Sequence, residues 1–143
     1  MAGTEVRKLS LLLVEDNPAD IYLVKEAIRR EGLDCQLEVA GDGERAISII
    51  DALDSDGAAR CPDLLLLDLN VPRISGDEVL LRVRRSPRCA GIPVVIITSS
   101  GSPADHDRAR ELGAAAYFRK PSDFQEFMKL GRLLRNLHQR GHT

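Results

Sequence analysis

The 143-residue sequence has no tryptophan, only two tyrosines and three phenylalanines. Aromatics at 3% of the chain leave no stacking surface of the kind that single-stranded nucleic acid needs. An excess of one charge is missing too. Twenty basic and twenty-two acidic side chains give a net charge of −2, which excludes bulk attraction to nucleic acid or to an anionic membrane. No apolar run approaches the roughly 20 residues of a membrane span. Met1 to Ser10 lacks the apolar core of a signal peptide, so the expected location is the cytoplasm. Cysteine is scarce: Cys35, Cys61 and Cys89 are odd in number and far apart, with no C-x-x-C pair. Neither a disulfide framework nor a zinc site is expected, and the thiols are read as reduced. His106, His138 and His142 stand at no ligand-like spacing to them and read as solvated.

What is present is a set of short apolar runs that end in polar residues. Leu64-Leu65-Leu66-Leu67-Asp68 shows no apolar/polar alternation and is preceded by the breaker Cys61-Pro62-Asp63. Such a run fits a strand buried on both faces, in the centre of a parallel sheet. Leu9 to Val14 ends likewise in Glu15-Asp16, after which Asn17 caps a helix with Pro18 at its first position and Gly32 as its stop. Gln36 to Ala40 alternates more and reads as nearer an edge; Gly41-Asp42-Gly43 turns the chain into a second helix. Gly76 leads into a third helix, Val94 to Ile97 is an all-apolar strand ending in Thr98, and Ser102-Pro103 starts a helix reaching Leu112. Ala115 to Phe118 delivers Arg119-Lys120-Pro121, and Ser122 or Asp123 caps a last helix running towards His138. Five strands alternating with five helices imply right-handed crossovers and an α/β three-layer sandwich around a doubly wound parallel sheet. With no internal repeat and no linker, residues 1–143 read as one domain with its core from about residue 9 to about residue 138.

In an open parallel sheet the carboxyl ends of the strands are where ligands bind. Four strands end there in Glu15-Asp16, Asp68, Thr98 and Lys120. Carboxylates gathered at one edge repel unless a cation sits among them, and Lys120 neutralises only part of that charge. A hard divalent ion, Mg²⁺, held by one or two carboxylates and a phosphate suits the set. Asp68 is then the central carboxylate, one oxygen on the metal and the other able to attack phosphorus. Thr98 can donate its hydroxyl to the resulting phosphoryl group, and Lys120 can pair with it as a point charge. A cis peptide before Pro121 would aim that lysine. A phosphohydrolase with an aspartate nucleophile is the enzyme alternative, but it wants a second Asp two residues on, where Asn70 stands. A nucleotide- or flavin-binding module is disfavoured by the acidic, glycine-poor turn Glu15-Asp16-Asn17-Pro18.

The set Glu15-Asp16, Asp68, Thr98 and Lys120-Pro121, with Asp68-x-x-x-Pro72-x-x-x-Gly76, resembles the receiver domain of two-component response regulators from about Leu9 to about Leu137. The resemblance implies a (βα)5 fold with strand order 2-1-3-4-5 and Asp68 as acceptor of phosphate from a sensor histidine kinase. It implies Mg²⁺ on Glu15, Asp16, Asp68 and the backbone carbonyl of Asn70, a switch role for Thr98, and Tyr117 as the aromatic that reports its position. Pro121, Pro72 and Gly76 support the loops, and Asn70 and Ser100 occupy positions that tune phosphoryl lifetime. Val71, Ser75 and Ser99 depart conservatively from the commoner residues. The Asp68-Leu-Asn-Val-Pro-Arg loop, the Thr-Ser-Ser turn and the long loop before Cys61 look like the small regulators that partner bacterial phytochromes. A receiver-like scaffold that works without phosphate is a further alternative, disfavoured because every motif position holds a competent residue.

The chain ends soon after the fifth helix, so the expectation is a receiver acting without an output domain of its own. Phe124, Phe127, Met128, Leu130, Leu133, Leu134 and Leu137 exceed the stripe that a one-sided surface helix needs. The family commonly pairs through its fourth helix, fifth strand and fifth helix, and a homodimer there is expected, set against simple burial of the helix. Lys129, Arg132, Arg135 and Arg140 form a basic rim that reads as a solvated face, not a nucleic-acid site.

Overall fold

The four leucines of Leu64–Leu67 are all buried, and they divide by period two between the two faces of a sheet. Leu65 and Leu67 join one apolar cluster, and Leu64 and Leu66 join another. A computed structural model describes residues 8–140, without the side chain of Arg140. His142 therefore lies outside the described residues, as does the side chain of Arg140 that the basic rim would need.

The strands are β1 (Leu9–Val14), β2 (Cys35–Ala40), β3 (Leu64–Asp68), β4 (Val94–Thr98) and β5 (Ala116–Arg119). All pair in parallel in the order β2-β1-β3-β4-β5, as expected, with β3 central and the more alternating β2 at an edge. Helices α1 (Pro18–Glu31), α2 (Gly43–Ser55), α3 (Gly76–Arg84) and α4 (Pro103–Glu111) alternate with them. Beneath α1 lies the cluster of Leu11, Leu13, Val24, Ile28, Leu66 and Phe127; beneath α2 and α3 lies that of Leu12, Ile50, Leu65, Leu80 and Ile96. Two buried faces on one sheet make the three-layer sandwich.

The caps follow local chemistry. Asn17, Asp42, Ser75, Ser102 and Asp123 each accept a backbone N–H from the first turn of the helix they precede. Gly32 closes α1 at φ 72°, in the left-handed region that suits glycine. At Gly76 a Cβ would stand 2.6 Å from Leu69 Cα and 2.8 Å from Asp68 O, so only glycine lets α3 start against the end of β3.

The last helix comes as two segments, α5 (Phe124–Met128) and α6 (Leu130–Arg140). The break is one residue: Lys129 donates its N–H three residues back, to Glu126 O, a tightened turn instead of an α-helical step. Phe127, Leu130 and Leu134 are buried, while Phe124, Met128, Leu133 and Leu137 remain half-buried. Of the basic rim, Lys129 pairs with Glu126 and Arg135 with Glu31. No described helix is long and apolar enough to cross a membrane.

One conformational option is closed and one expectation is corrected. Every peptide bond among the described residues is trans, including the one before Pro121. Lys120 is aimed instead by its N–H bond to Thr98 O at 2.7 Å and by its ion pairs. The thiols are not all reduced: Cys61 and Cys89 form a disulfide, with Cα atoms 5.7 Å apart. Twenty-eight residues separate them along the chain, but the loops that enter β3 and β4 meet at the same end of neighbouring parallel strands. Arg88 ties the same loops by donating to Leu53 O, Asp56 O and Ala59 O. Cys35 is the one free thiol, and burial pushes it up to about 11.

Alkylation of denatured protein should add one group without reductant and three after reduction, read by intact mass. Three without reductant would refute the bridge. Loop closure across it gives an expected loss on reduction of about 3.5 kcal/mol, seen as a lower urea midpoint.

Candidate functional site

Each functional side chain stands where a strand reaches the carboxyl edge of the sheet and apolar residues give way. Glu15 follows β1, Asp68 and Thr98 end β3 and β4, and Lys120 follows β5. The parallel register brings these ends together: Asp68 pairs with Ile97, and Thr98 with Arg119. Glu15, Asp68 and Thr98 are buried, and Asp16 is exposed.

Lys120 is the hub. Its ammonium donates to Glu15 Oε1 at 2.7 Å, to Asp20 Oδ2 at 2.8 Å and to Asp68 Oδ2 at 3.0 Å. Burial works against its charge, but the bonds to Asp20, Glu15 and Asp68 outweigh that and hold its pKa above the usual lysine range. The other oxygen of Asp68, Oδ1, accepts the Asn70 N–H at 3.0 Å. The other oxygen of Glu15 accepts the N–H groups of Asp16 and Asn17. Burial nevertheless pushes the Glu15 carboxyl up to about 7; Lys120 and the Asn17 N–H pull it down, and the Asp68 charge adds to the rise.

Ligand atoms of Glu15, Asp16 and Asp68 lie within 4.8 Å of one another. Two buried carboxylates and one exposed one form an all-oxygen set open on one side, which fits a hard divalent ion such as Mg²⁺ or Mn²⁺. Thr98 Oγ1 accepts the Ser100 N–H at 3.1 Å and the Asn70 amide at 3.4 Å, so its own proton can be given elsewhere.

The remaining expected residues lie around this centre. Asn70 enters through its N–H and its side-chain amide. Ser100 donates to Asp105 Oδ2 at 2.7 Å, linking the β4 end to α4. Tyr117 is half-buried, donates to Ser100 O at 3.3 Å and lies against His106 with ring centres 4.7 Å apart. Pro72 O accepts the Gly43 and Ile74 N–H groups. Beside it Arg73 takes φ 73°, held by Asp42 and Glu44. Asp20 is the residue that sequence reasoning missed. Its signal was an acid in the first turn of α1, four residues after Asp16.

A family model described as the response regulator receiver domain matches residues 11–131. Among curated proteins, the chain is 37% identical over 119 residues to the probable methanogenesis regulatory protein FilR2 of Methanothrix harundinacea, covering 83% of this chain and 76% of that one. It is 33% identical over 120 residues to the response regulator Rcp1 of Synechocystis, covering 84% and 82%. The fold is similar to the Mn²⁺-bound form of Rcp1, with TM-score 0.78, 31% identity, and 89% of this chain and 91% of that one covered. It is also similar to the phosphorylated cyanobacterial phytochrome response regulator RcpA, with TM-score 0.84, 28% identity and coverage of 96% and 98%.

The raised Glu15 carboxyl has a thermodynamic signature. Between its ordinary 4.5 and about 7, the folded protein binds more protons than the unfolded chain. Stability from this group is therefore present at low pH and lost as pH rises through that window. In metal-free protein the urea midpoint should fall from about pH 5 to about pH 7.5, with a slope no steeper than about 1.4 kcal/mol per pH unit for one proton. Glu15→Gln should flatten this segment; an unchanged slope in the variant would assign it to another group.

Proposed function

The chain belongs to the response regulator receiver domain family, and on that premise we propose that Asp68 accepts a phosphoryl group in a Mg²⁺-dependent reaction. The observation that carries this reading is the Asp68 carboxylate, buried at the carboxyl end of the central strand, paired with Lys120 and itself part of the metal-competent cluster. An Asp68 oxygen attacks phosphorus, forming a new P–O bond. The P–O or P–N bond to the donor breaks, and the leaving group takes the electron pair. Lys120 then pairs with a phosphoryl oxygen, and the Thr98 hydroxyl donates to another. Glu15, Asp16, Asp68 and the Asn70 backbone carbonyl would hold the metal. When bound, Mg²⁺ supplies the positive charge that lets carboxylates and phosphate share one site. A phosphohydrolase role is not supported: the Asn70 amide, bonded to Thr98, cannot serve as a general acid.

As signalling chemistry, this reading makes the response a change of surface. Thr98 leads through Ser100 to Asp105 and Tyr117, a short path from the acceptor to the face of α4 and β5. The proposed phosphate source is a sensor histidine kinase of the phytochrome type, supported by the similarity to RcpA. A homodimer through α4, β5 and the last helix is proposed from the pairing face common in the family; the half-buried Met128, Leu133 and Leu137 pack on the α1-side core instead.

The deciding experiment is phosphate incorporation from acetyl phosphate, read by intact mass. One Mg²⁺-dependent adduct is expected, absent in the nearly isosteric Asp68→Asn; an adduct that persists in the variant would move the acceptor elsewhere. Lys120→Ala should still be labelled but lose phosphate-dependent dimerisation. Phosphorylated protein that sediments as a monomer at tens of micromolar, roughly, would count against the dimer.

A further inference from the structure

We infer that Asp20 is a positioning residue, the exchangeable partner that holds the Lys120 ammonium at rest and releases it when a phosphoryl group arrives on Asp68. This rests on the phosphoacceptor reading above. An ammonium has three N–H donors. All three are taken, by Glu15 at 2.7 Å, Asp20 at 2.8 Å and Asp68 at 3.0 Å. A phosphoryl oxygen can gain Lys120 only by displacing one of them.

The three partners differ in what displacement would leave behind. Glu15 has a side chain 0% exposed, and its second oxygen is pinned by two backbone N–H groups. Pulled from Lys120, it would be left a buried, unpaired charge, the most expensive outcome. Asp68 is the attachment point and moves with the phosphoryl group. Asp20 stands on the first turn of α1 with its side chain 21% exposed, so water can take over its carboxylate. It also lies outside the metal-competent set of Glu15, Asp16 and Asp68. Glu15 is thus the fixed anchor of the ammonium and Asp20 the releasable one. The strength of the Asp20 pair sets how readily Lys120 transfers.

The test is Asp20→Asn, which keeps the shape and removes the charge. Phosphorylation by acetyl phosphate with saturating Mg²⁺ should become about threefold to tenfold faster, the scale of a partly exposed ion pair. In a Lys120→Ala background the same substitution should change the rate by less than about twofold, because its effect runs through the ammonium. A rate unchanged in Asp20→Asn, or changed equally in both backgrounds, overturns the inference. A second readout needs no phosphate: the Lys120 ammonium signal in ¹H–¹⁵N spectra of metal-free protein. Its exchange with water should quicken in Asp20→Asn. If wild-type protein takes up no phosphate, the phosphoacceptor reading fails on its own. Unchanged ammonium exchange then overturns the hold of Asp20 on Lys120.

Discussion

One ammonium among converging carboxylates is the interaction on which the rest of the structure depends. Glu15, Asp20 and Asp68 all bond to Lys120, and Asp16 adds a fourth negative charge beside them. Such a group would repel itself in water and would be costlier still when buried. It persists because its members are delivered by separate elements, each anchored in an apolar core that outweighs the local repulsion. The result is a site short of positive charge, whose oxygen set fits a hard divalent ion.

The core supplies that anchorage by simple means. The leucines of β1 and β3 divide between two apolar clusters, so neither strand can slip by one residue without turning its side chains to the wrong face. Register at the sheet centre therefore sets where Asp68 emerges. Gly76 lets α3 begin in contact with the Asp68 carbonyl, which keeps the loop after β3 tight. At the opposite end of the strands, the disulfide and Arg88 tie the connections entering β3 and β4. Chemistry and reinforcement thus occupy opposite edges of one sheet.

Much of this was legible beforehand because it rests on local signals. Apolar runs too short for helices, caps such as Asn17 and Asp42, and polar residues where runs stop are all written within a few positions of each other. They were enough for five parallel strands and for the grouping of Glu15, Asp16, Asp68, Thr98 and Lys120 at one edge. The one-residue break at Lys129 was not legible, since the apolar spacing of the last helix runs through it and only the hydrogen bond to Glu126 reveals it. The surplus of apolar residues there proved to be partly core, with Phe127, Leu130 and Leu134 buried.

The sequence by itself determined which residues must be buried, in what order the elements come, and which polar groups finish each strand. Period and capping are properties of neighbouring residues, and the connection rules for parallel strands do the rest. Tertiary structure alone decided which distant groups touch. It brought Cys61 to Cys89 across 28 residues, and it put Asp20 on the ammonium of a lysine 100 residues away. It also placed Lys120 by ion pairs and a strand-end hydrogen bond, with a trans peptide before Pro121. These contacts have no sequence signal because they are set by the register and spacing of packed elements. No periodicity along the chain can encode a distance across the sheet.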